Sequence, residues 1–295
     1  MKSVTPSLVF VALCFVWGST WLAIKIGLGF LPPFLFAGIR FVTATVALLI
    51  LFRFLHARMP MDRYSWGVML FLGIFQISLP YGLVFWGEEY ISSGLSAVLF
   101  ATLPFFVVLS AHVLVKDEKL TKLKGIGVLA SFVGLVAIFW RDIATASTLG
   151  TAYSLFGSLA VVGSSASGGM ANVVAKRYAS RIDPAANVLV QAVVGSVVLL
   201  SASAFVERNV ALNFTPVAIA GILYLGVVGS ALAFVGLYWL LTKSSATNAS
   251  LFSFITPIIA LILGWAILNE TVDTNVGLGT VLILIGVYLT IRPTS

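Results

Sequence analysis

Long runs of apolar residues alternate along the whole chain with short polar segments. A run of about 20 apolar residues is long enough to cross the hydrocarbon core of a bilayer as a helix. The pattern predicts ten transmembrane helices joined by short loops. Their predicted bounds are roughly 7–27, 31–54, 65–87, 93–115, 123–140, 151–173, 184–206, 215–241, 245–268 and 275–291.

The composition agrees with a bilayer as the solvent. Hydrophobic residues make up 60% of the 295-residue chain and charged residues only 9%, whereas a soluble domain carries about 25% charged residues. The net charge of +7 could indicate nucleic acid, but the basic residues lie in short loops rather than on one face. We therefore expect an all-α membrane protein that contacts the lipid bilayer and no nucleic acid.

The basic residues also predict an orientation, because cytoplasmic loops are rich in lysine and arginine. Of the 17 lysines and arginines, only Arg141 and Arg208 fall in predicted outer loops, and Lys25 and Arg40 lie within spans. This distribution predicts a multi-pass protein of the cell (inner) membrane with both termini cytoplasmic. The apolar run after Lys2 has no small-residue cleavage site, so we expect a retained helix rather than a signal peptide.

Two apolar regions, residues 96–138 and residues 248–290, repeat each other at a spacing of 152. A duplicated hydrophobic half is typical of secondary transporters. The repeat-related pairs, some at spacings of 151 or 153, are Glu118 with Glu270, Gly127 with Gly279, Gly134 with Gly286, Lys25 with Lys176, Arg40 with Gln191 and Phe85-Trp86 with Tyr238-Trp239.

Each half contains five of the predicted spans. Since five is odd, the second half must enter the membrane from the opposite side, which predicts two repeats inverted about an axis in the membrane plane. The predicted units are residues 1–144 and residues 145–295. The predicted fold is thus ten transmembrane helices in two inverted five-helix repeats, with a substrate site near the midplane between them.

Several short segments carry a family resemblance. The run from Phe15 to Thr20, Arg40-Phe41, Pro104 and the segment Glu118–Thr121 resemble EamA-type transporters of the drug/metabolite transporter superfamily, and Pro257 with Glu270-Thr271 repeats the pattern. The resemblance implies an exporter or exchanger of small metabolites, with amino acids and drug-like compounds among the substrates. It also guides the expectation that helices one, three, four, six, eight and nine wall the site.

Arg40 lies close to the middle of its span, where an arginine should face the bundle interior or a wet cavity. One interpretation is a bidentate clamp on a substrate carboxylate. The other is a structural arginine that bonds to carbonyls of neighbouring helices. Lys25, near the outer end of helix one, is expected to extend to the headgroups, with attraction of anions at the outer mouth as the alternative.

Aromatic residues within the spans are further candidates for the site. Trp17 and Trp21 lie one turn apart on the same face of helix one, and a buried indole needs a partner for its N–H. A cavity wall would supply one, although packing against lipid or core remains an alternative. Tyr81 and Tyr153 are weaker candidates on the same reasoning.

Pro104 and Pro257 occupy corresponding positions near the centres of helices four and nine. Each proline removes one ladder hydrogen bond, which would loosen the carbonyls of Phe100 and Ser253, and paired midplane breaks indicate a binding site. Plain packing kinks are the alternative. In helix six, Asn172 follows a run of small residues that favours close helix packing and could contact either a neighbour or a ligand.

The acidic residues are predicted to lie in loops or at helix ends. Proton-driven carriers usually hold a carboxylate or histidine inside the membrane, so the sequence favours facilitated diffusion or exchange. Coupling through Glu88, Glu89 or His112 is the alternative to their solvation at the membrane interface.

Little else points to chemistry. Cys14 is the only cysteine, and His56 and His112 are not at ligand spacing, so we expect no metal site and no cofactor. The run Gly125–Ala130 fits a dinucleotide fingerprint but opens a membrane helix, where packing explains it better. We expect no enzyme.

The sequence thus predicts a monomeric secondary transporter that exports or exchanges small molecules, most of all amino acids, by alternating access at a midplane site. The alternative is a proton-coupled carrier for multidrug or toxic-compound efflux. A membrane channel is a third class, but the sequence offers no continuous polar lining for it. The predicted site residues are Trp17, Trp21, Arg40, Tyr81, Phe100, Pro104, Tyr153, Asn172, Ser253 and Pro257.

Overall fold

The computed structural model of the chain consists of helices joined by short connections in the part that it describes. This part comprises residues 5–54, 56–114, 122–144, 149–178, 180–208, 212–243, 252–271 and 274–291 and the single residues 210 and 249. The described helices are α1 (Pro6–Leu28), α2 (Pro33–Phe54), α3 (Arg63–Tyr90), α4 (Ser93–Leu114), α5 (Lys122–Ala144), α6 (Leu149–Tyr178), α7 (Pro184–Val206), α8 (Pro216–Lys243), α9 (Phe252–Leu268) and α10 (Thr274–Ile291).

These helices lie where the hydrophobic pattern predicts spans. Within the described residues, seven helices are long and apolar enough to cross a membrane by length and composition. The shorter apolar helices Gly125–Ile138, Ile255–Leu268 and Thr274–Gly286 lie within α5, α9 and α10. A multi-pass membrane protein follows from this, while the number of ten spans and their orientation stay predictions.

The bundle exposes apolar side chains and buries polar ones. Phe15, Phe132 and Trp265 are exposed on its surface, whereas Asn172 and Gln191 are buried in its interior. Such an arrangement is unfavourable in water, and it suits a bilayer, where lipid tails solvate the outer faces of the helices. We call the bundle end that holds the C-termini of α1 and α3 the outer end, following the predicted orientation.

The starts of α3 and α8 are capped at equivalent positions of the two halves. The Asp62 side chain accepts a hydrogen bond of 2.8 Å from the backbone N–H of Ser65, and the Thr215 hydroxyl accepts one of 3.2 Å from that of Ala218. The two capping residues, Asp62 and Thr215, are 153 positions apart in the sequence, and so are the two donors, Ser65 and Ala218. Each cap satisfies one of the N–H groups that a helix start leaves without an intrahelical partner.

Both α3 and α8 contain a π-helical segment in the middle. In each, a serine hydroxyl donates to the carbonyl five residues earlier: Ser78 to Gly73 at 2.8 Å and Ser230 to Leu225 at 2.9 Å. The two serine donors are 152 residues apart in the sequence, and so are the two carbonyl acceptors. The irregularity therefore recurs in the two halves. Segments of this kind are frequent at functional sites. They are Gly73–Ser78 in α3 and Tyr224–Leu232 in α8.

The two prolines predicted to be equivalent kinks occupy different positions in their helices. α4 is interrupted at Ala101 and Thr102 and resumes at Leu103, which places Pro104 in the first turn of the second segment. Proline is tolerated there because that N–H has no intrahelical acceptor. The expected loss of a ladder hydrogen bond therefore applies to Pro257, which lies inside α9, and is wrong for Pro104.

Glycines bring α5 and α10 into backbone contact. A Cβ atom on Gly279 would lie 2.7 Å from the carbonyl oxygen of Gly134, and one on Gly286 would lie 2.5 Å from that of Gly127. Gly127 and Gly279 are equivalent at the 152-residue spacing, and so are Gly134 and Gly286. Each of the two contacts is therefore the repeat-related copy of the other. Small residues allow membrane helices to approach this closely.

Lys25 and Lys176 bind the ends of neighbouring helices. The Lys25 ammonium donates to the carbonyls of Glu88 and Ile91, both at 2.7 Å, and the Lys176 ammonium donates to that of Leu241 at 2.7 Å. These carbonyls lie at the C-terminal ends of α3 and α8, where a cation is favourable. The expectation that Lys25 extends to the headgroups is therefore wrong.

Candidate functional site

A cavity lies in the interior of the bundle, walled by α1, α2, α3, α4, α6, α8 and α9. About 680 Å³ within it is free of protein atoms when the space at its mouth is counted. Its walls include the six helices that the sequence analysis favours. The lining residues are Trp17, Thr20, Trp21, Ile24, Arg40, Gln76, Pro80, Tyr81, Val84, Phe100, Leu103, Ser164, Gly168, Asn172, Phe234, Leu237, Phe252 and Thr256.

Arg40 is the only charged residue that lines this cavity, within the part of the chain that the structure describes. Its Nε donates to the Ser230 hydroxyl at 2.8 Å and its Nη2 to the Gly229 carbonyl at 3.3 Å, both in the π segment of α8. The guanidinium carbon lies 4.6 Å from the centroid of the Tyr81 ring, within the range of a cation–π interaction.

The third nitrogen of Arg40 distinguishes the two interpretations of this residue. Nη1 is buried and forms no hydrogen bond of standard geometry with any described residue, although the Tyr81 hydroxyl interacts with the guanidinium group. Two nitrogens therefore bond to a neighbouring helix, as the structural interpretation expects, and one remains available, as a carboxylate clamp requires. The guanidinium group is thus bound to α8 through two nitrogens, while Nη1 keeps its capacity to donate.

Neutral polar groups accompany Arg40 in the cavity wall. Gln76 Oε1, Ser164 Oγ and Asn172 Oδ1 are buried and, like Nη1, have no hydrogen-bond partner among the described residues. A buried polar atom without a partner costs about 1–3 kcal/mol. A ligand that supplied donors and acceptors at these atoms would remove that cost.

Aromatic rings form the apolar part of the wall. Trp17 donates its indole N–H to the Gly229 carbonyl at 3.1 Å, which supplies the partner that a buried indole needs. Its ring lies 4.3 Å from that of Phe252, and the ring of Trp21 lies 5.4 Å from that of Phe100. The cavity thus joins one cationic corner to an aromatic wall.

The structure brings most of the predicted site residues to this cavity and leaves others outside its lining. Pro104, Ser253 and Pro257 are buried near it without lining it. Tyr153 is half exposed and stacks on Tyr90 with ring centroids 5.1 Å apart, away from the cavity. Those that line the cavity are Trp17, Trp21, Arg40, Tyr81, Phe100 and Asn172.

Sequence reasoning missed several lining residues. Gln76 could have been noticed, since it is an uncharged polar residue in the middle of an apolar run. Ser164 was hidden in a run of small residues, whose ordinary role is packing. Phe234 and Phe252 carried no signal, because apolar residues that face lipid, core and cavity look alike in a sequence.

Glu88 is the clearest correction to the sequence analysis. The prediction placed it at a helix end, solvated at the membrane interface. It does lie in the last turn of α3, but its side chain is fully buried, with 0% of its surface exposed. Both carboxyl oxygens lack a hydrogen-bond partner among the described residues. The adjacent Glu89 is exposed, as predicted.

The described residues contain no group of three His, Cys, Asp or Glu side chains that could hold a metal ion. The groups of the cavity wall suit the recognition of an anion by Arg40 and of an apolar group by the rings.

The model of the EamA-like transporter family matches residues 5–140 and 155–292. The match thus has two parts, one in each half of the chain, and together they cover most of its length.

Relatives and a solved structure agree with this match. The chain is 28% identical to the uncharacterized transporter YoaV of Bacillus subtilis over 280 residues, covering 95% of this chain and 94% of that protein. It is 27% identical to the protein PagO of Salmonella typhimurium, over 99% and 94% of the two chains. It is 25% identical to the uncharacterized inner membrane transporter YedA of Escherichia coli K12, over 89% and 82%.

A crystal structure of a protein with 15% sequence identity superposes with a TM-score of 0.71, covering 97% of this chain and 96% of the other, and shows the fold alone. The two matched segments, the relatives that are named transporters and the apolar helices around one cavity lead to the same conclusion. The chain belongs to the EamA-like transporter family and is a membrane transporter.

Proposed function

We propose that this transporter exports or exchanges small zwitterionic metabolites, above all amino acids, through the cavity between its two halves. The observation that carries the proposal is the unpartnered Nη1 of Arg40 beside a wall of aromatic rings. A substrate with a carboxylate and an apolar side chain would satisfy both parts of the cavity at once.

The carboxylate is the part of the substrate that Arg40 would bind. A hydrogen bond between a guanidinium and a carboxylate is charge-assisted and stronger than a neutral one. Since Nε and Nη2 already bond to α8, the arginine is pre-oriented and would lose little freedom on binding.

The ammonium group of an amino acid would use different atoms. Gln76 and Asn172 each present an unpartnered amide oxygen in the cavity wall, and such oxygens accept hydrogen bonds from an ammonium. The presence of both a cationic donor and neutral acceptors supports a zwitterion over a simple anion or a hydrophobic cation.

Transport would proceed by alternating access, with the two halves rocking around the cavity. The recurrence of the lysine contacts supports this mechanism. The donors are 151 residues apart and the acceptors 153, and equivalent contacts at the two ends of the bundle can close either side. Residues 1–144 and residues 145–295 would form the two inverted units, in the cell (inner) membrane and within a monomer.

The test is counterflow in proteoliposomes preloaded with a mixture of unlabelled amino acids, with labelled amino acids outside and with a proton ionophore present. Labelled amino acid should enter, and the matching methyl ester and N-acetyl derivative should each compete about 10-fold less well, because each lacks one of the two charges. Equal competition by the methyl ester would remove the role of the carboxylate.

The same assay addresses the other classes. If no amino acid enters vesicles that contain folded protein, the proposal is wrong, and efflux of drug-like compounds becomes the better description. Unitary currents in single-channel recording would indicate a channel instead. A product chemically different from the added label would indicate an enzyme.

A further inference from the structure

Glu88 continues the face of α3 that lines the cavity. Tyr81 and Val84 both line it, and Glu88 follows at positions i+7 and i+4, so the three side chains share one face of the helix. Glu88 therefore stands about one turn outward from the cavity wall. The next residues, Glu89 and Tyr90, are exposed and line a recess at the outer end.

The packing around Glu88 is tight and leaves its carboxyl group without a partner. The preceding Gly87 lies against α6, since a Cβ atom on it would be 2.5 Å from the carbonyl oxygen of Gly157. Both oxygens of Glu88 are buried and form no hydrogen bond with a described residue. The hydroxyls of Ser96 on α4 and Ser158 on α6 are likewise buried and without a hydrogen-bond partner among the described residues.

Among the residues that the structure describes, the charged groups that act on this carboxyl group are Lys25 from α1, Arg40 from α2 and Glu270, which follows α9. The Lys25 ammonium is held by backbone carbonyls rather than by the carboxylate. Glu270 accepts hydrogen bonds from the backbone N–H groups of Ser93 and Gly94 at the start of α4. The outer halves of α4 and α6 carry no charged residue.

A carboxylate anion in such a place is costly, because it has left water and gained no donor. The neutral acid, with a proton on one carboxyl oxygen, is the form that the closed packing accommodates. Helices that separated at the outer end would wet the same group through the adjacent recess and allow the proton to leave. The closed bundle thus favours the neutral acid, and a bundle open at the outer end would favour the carboxylate.

We propose that Glu88 is a proton-binding site and that the proton it holds crosses the membrane in step with the substrate. The inference rests on the proposed function, since it assigns a second, coupled species to the same carrier. The step is a simple proton transfer: an O–H bond forms between a Glu88 oxygen and a proton from water on one side, and it breaks to water on the other.

Infrared spectroscopy of the purified protein in lipid tests the site without any substrate. The carbonyl stretch of a neutral carboxylic acid should be present at neutral pH in the wild type and in Glu89→Gln, and absent in Glu88→Gln. The wild-type band should disappear as the pH is raised. A band that Glu88→Gln retains, or one that no pH change affects, would overturn the proposal.

Transport tests the coupling. One pH unit across the vesicle membrane can drive about 10-fold accumulation of labelled amino acid if one proton crosses with each substrate. Wild type and Glu89→Gln should show it in one direction of the gradient, whereas Glu88→Gln should keep counterflow and lose the accumulation. Counterflow without any response of the wild type to the gradient refutes the coupling and leaves the proposed function intact.

The two proposals also fail separately in the other direction. If no amino acid is transported but the infrared band titrates and depends on Glu88, the proposed substrate is wrong and the proton site stands. Because the wild type alone gives both the infrared and the gradient result, the proposal remains testable even if Glu88→Gln does not fold.

Discussion

Arg40 and Gln191 occupy matching positions in the two halves of the chain, on α2 and α7, yet their surroundings differ. Gln191 donates to Asn187 and exchanges hydrogen bonds with the Tyr238 hydroxyl at 2.8 and 3.0 Å. Neither of its polar atoms is left over, and it does not line the cavity. Arg40 keeps one nitrogen that has no hydrogen-bond partner among the described residues, beside the cavity.

The difference shows how a duplicated scaffold can acquire one site. The capped helix starts, the π segments and the lysines at helix ends recur in both halves, because both halves solve the same packing problem. The chemistry at the centre does not recur: a self-contained polar network is structural, whereas an incomplete one is available to a ligand. Substitutions at equivalent positions can test this division.

The largest loss of substrate affinity is expected when Arg40 is replaced by glutamine, the residue at the matching position 191. Arg40→Gln removes the cation from the cavity, so amino-acid binding should weaken roughly 10- to 100-fold, the usual loss for a charged hydrogen bond. The affinity of Arg40→Lys should lie between those of the wild type and Arg40→Gln, since lysine keeps the charge but lacks the planar guanidinium group. Concentration dependence of counterflow measures both.

The matched control for Arg40 is Gln191→Leu, which disrupts the equivalent position in the other half. It leaves the Tyr238 hydroxyl short of a partner and should lower stability, with substrate affinity unchanged. Equal losses of affinity in Arg40→Gln and Gln191→Leu would mean that the two positions do not differ in function.

The contact between α5 and α10 should respond strongly to one added methyl group. Gly286→Ala places a Cβ atom 2.5 Å from the Gly127 carbonyl oxygen and should destabilise the protein by about 1–3 kcal/mol through overpacking. Gly277→Ala is the control, because nothing lies within 4 Å of its Cβ position. Thermal unfolding in detergent measures both, and equal unfolding temperatures would show that the contact is absent.

The lysines at the helix ends should contribute similar, smaller amounts. Lys25→Met and Lys176→Met each remove hydrogen bonds to carbonyls at a helix end, and each should cost about 1 kcal/mol in the free energy of unfolding. Chemical unfolding compares them with Lys243→Met, an exposed lysine in the last turn of α8. A loss confined to one of the two variants would break the equivalence of the two ends.

The smallest effect is expected from pH, which should weaken the cap of α3 but not that of α8. Hydrogen bonds from Ser65 hold the pKa of Asp62 below its ordinary value, so the cap is intact at neutral pH and is lost as the pH falls through that lowered pKa. Thr215 does not titrate. In acid, exchange of the Ser65 amide should rise relative to its intrinsic rate, while that of Ala218 should not, and Asp62→Asn should abolish the difference.

Much of the fold could be predicted because the signals are local. A run of apolar residues long enough to cross a bilayer determines where α1 or α7 lies, whatever the rest of the chain does. The position of Arg40 at the cavity could be predicted for a related reason, since a charge in the middle of an apolar run must find a partner or a cavity. Trp17 was noticed because a buried indole N–H needs a partner.

The errors have a common cause, which is that burial depends on neighbouring helices. Glu88 lies at a helix end by sequence, but α6 packs against Gly87 and removes the carboxyl group from solvent. Lys25 lies at a helix end too, but the end of α3 is close enough to bind it. Pro104 falls at a new helix start because α4 is interrupted before it.

The sequence by itself determined the class of the molecule, the places of its helices, its duplication and the charge at its centre, because hydrophobicity and repetition are properties of the chain alone. The tertiary structure decided which polar atoms find no partner among the described residues, such as Nη1 of Arg40 at the cavity and the carboxyl oxygens of Glu88 beyond it. Whether a polar group is satisfied depends on atoms far away in the chain, and only the packed helices bring those atoms together.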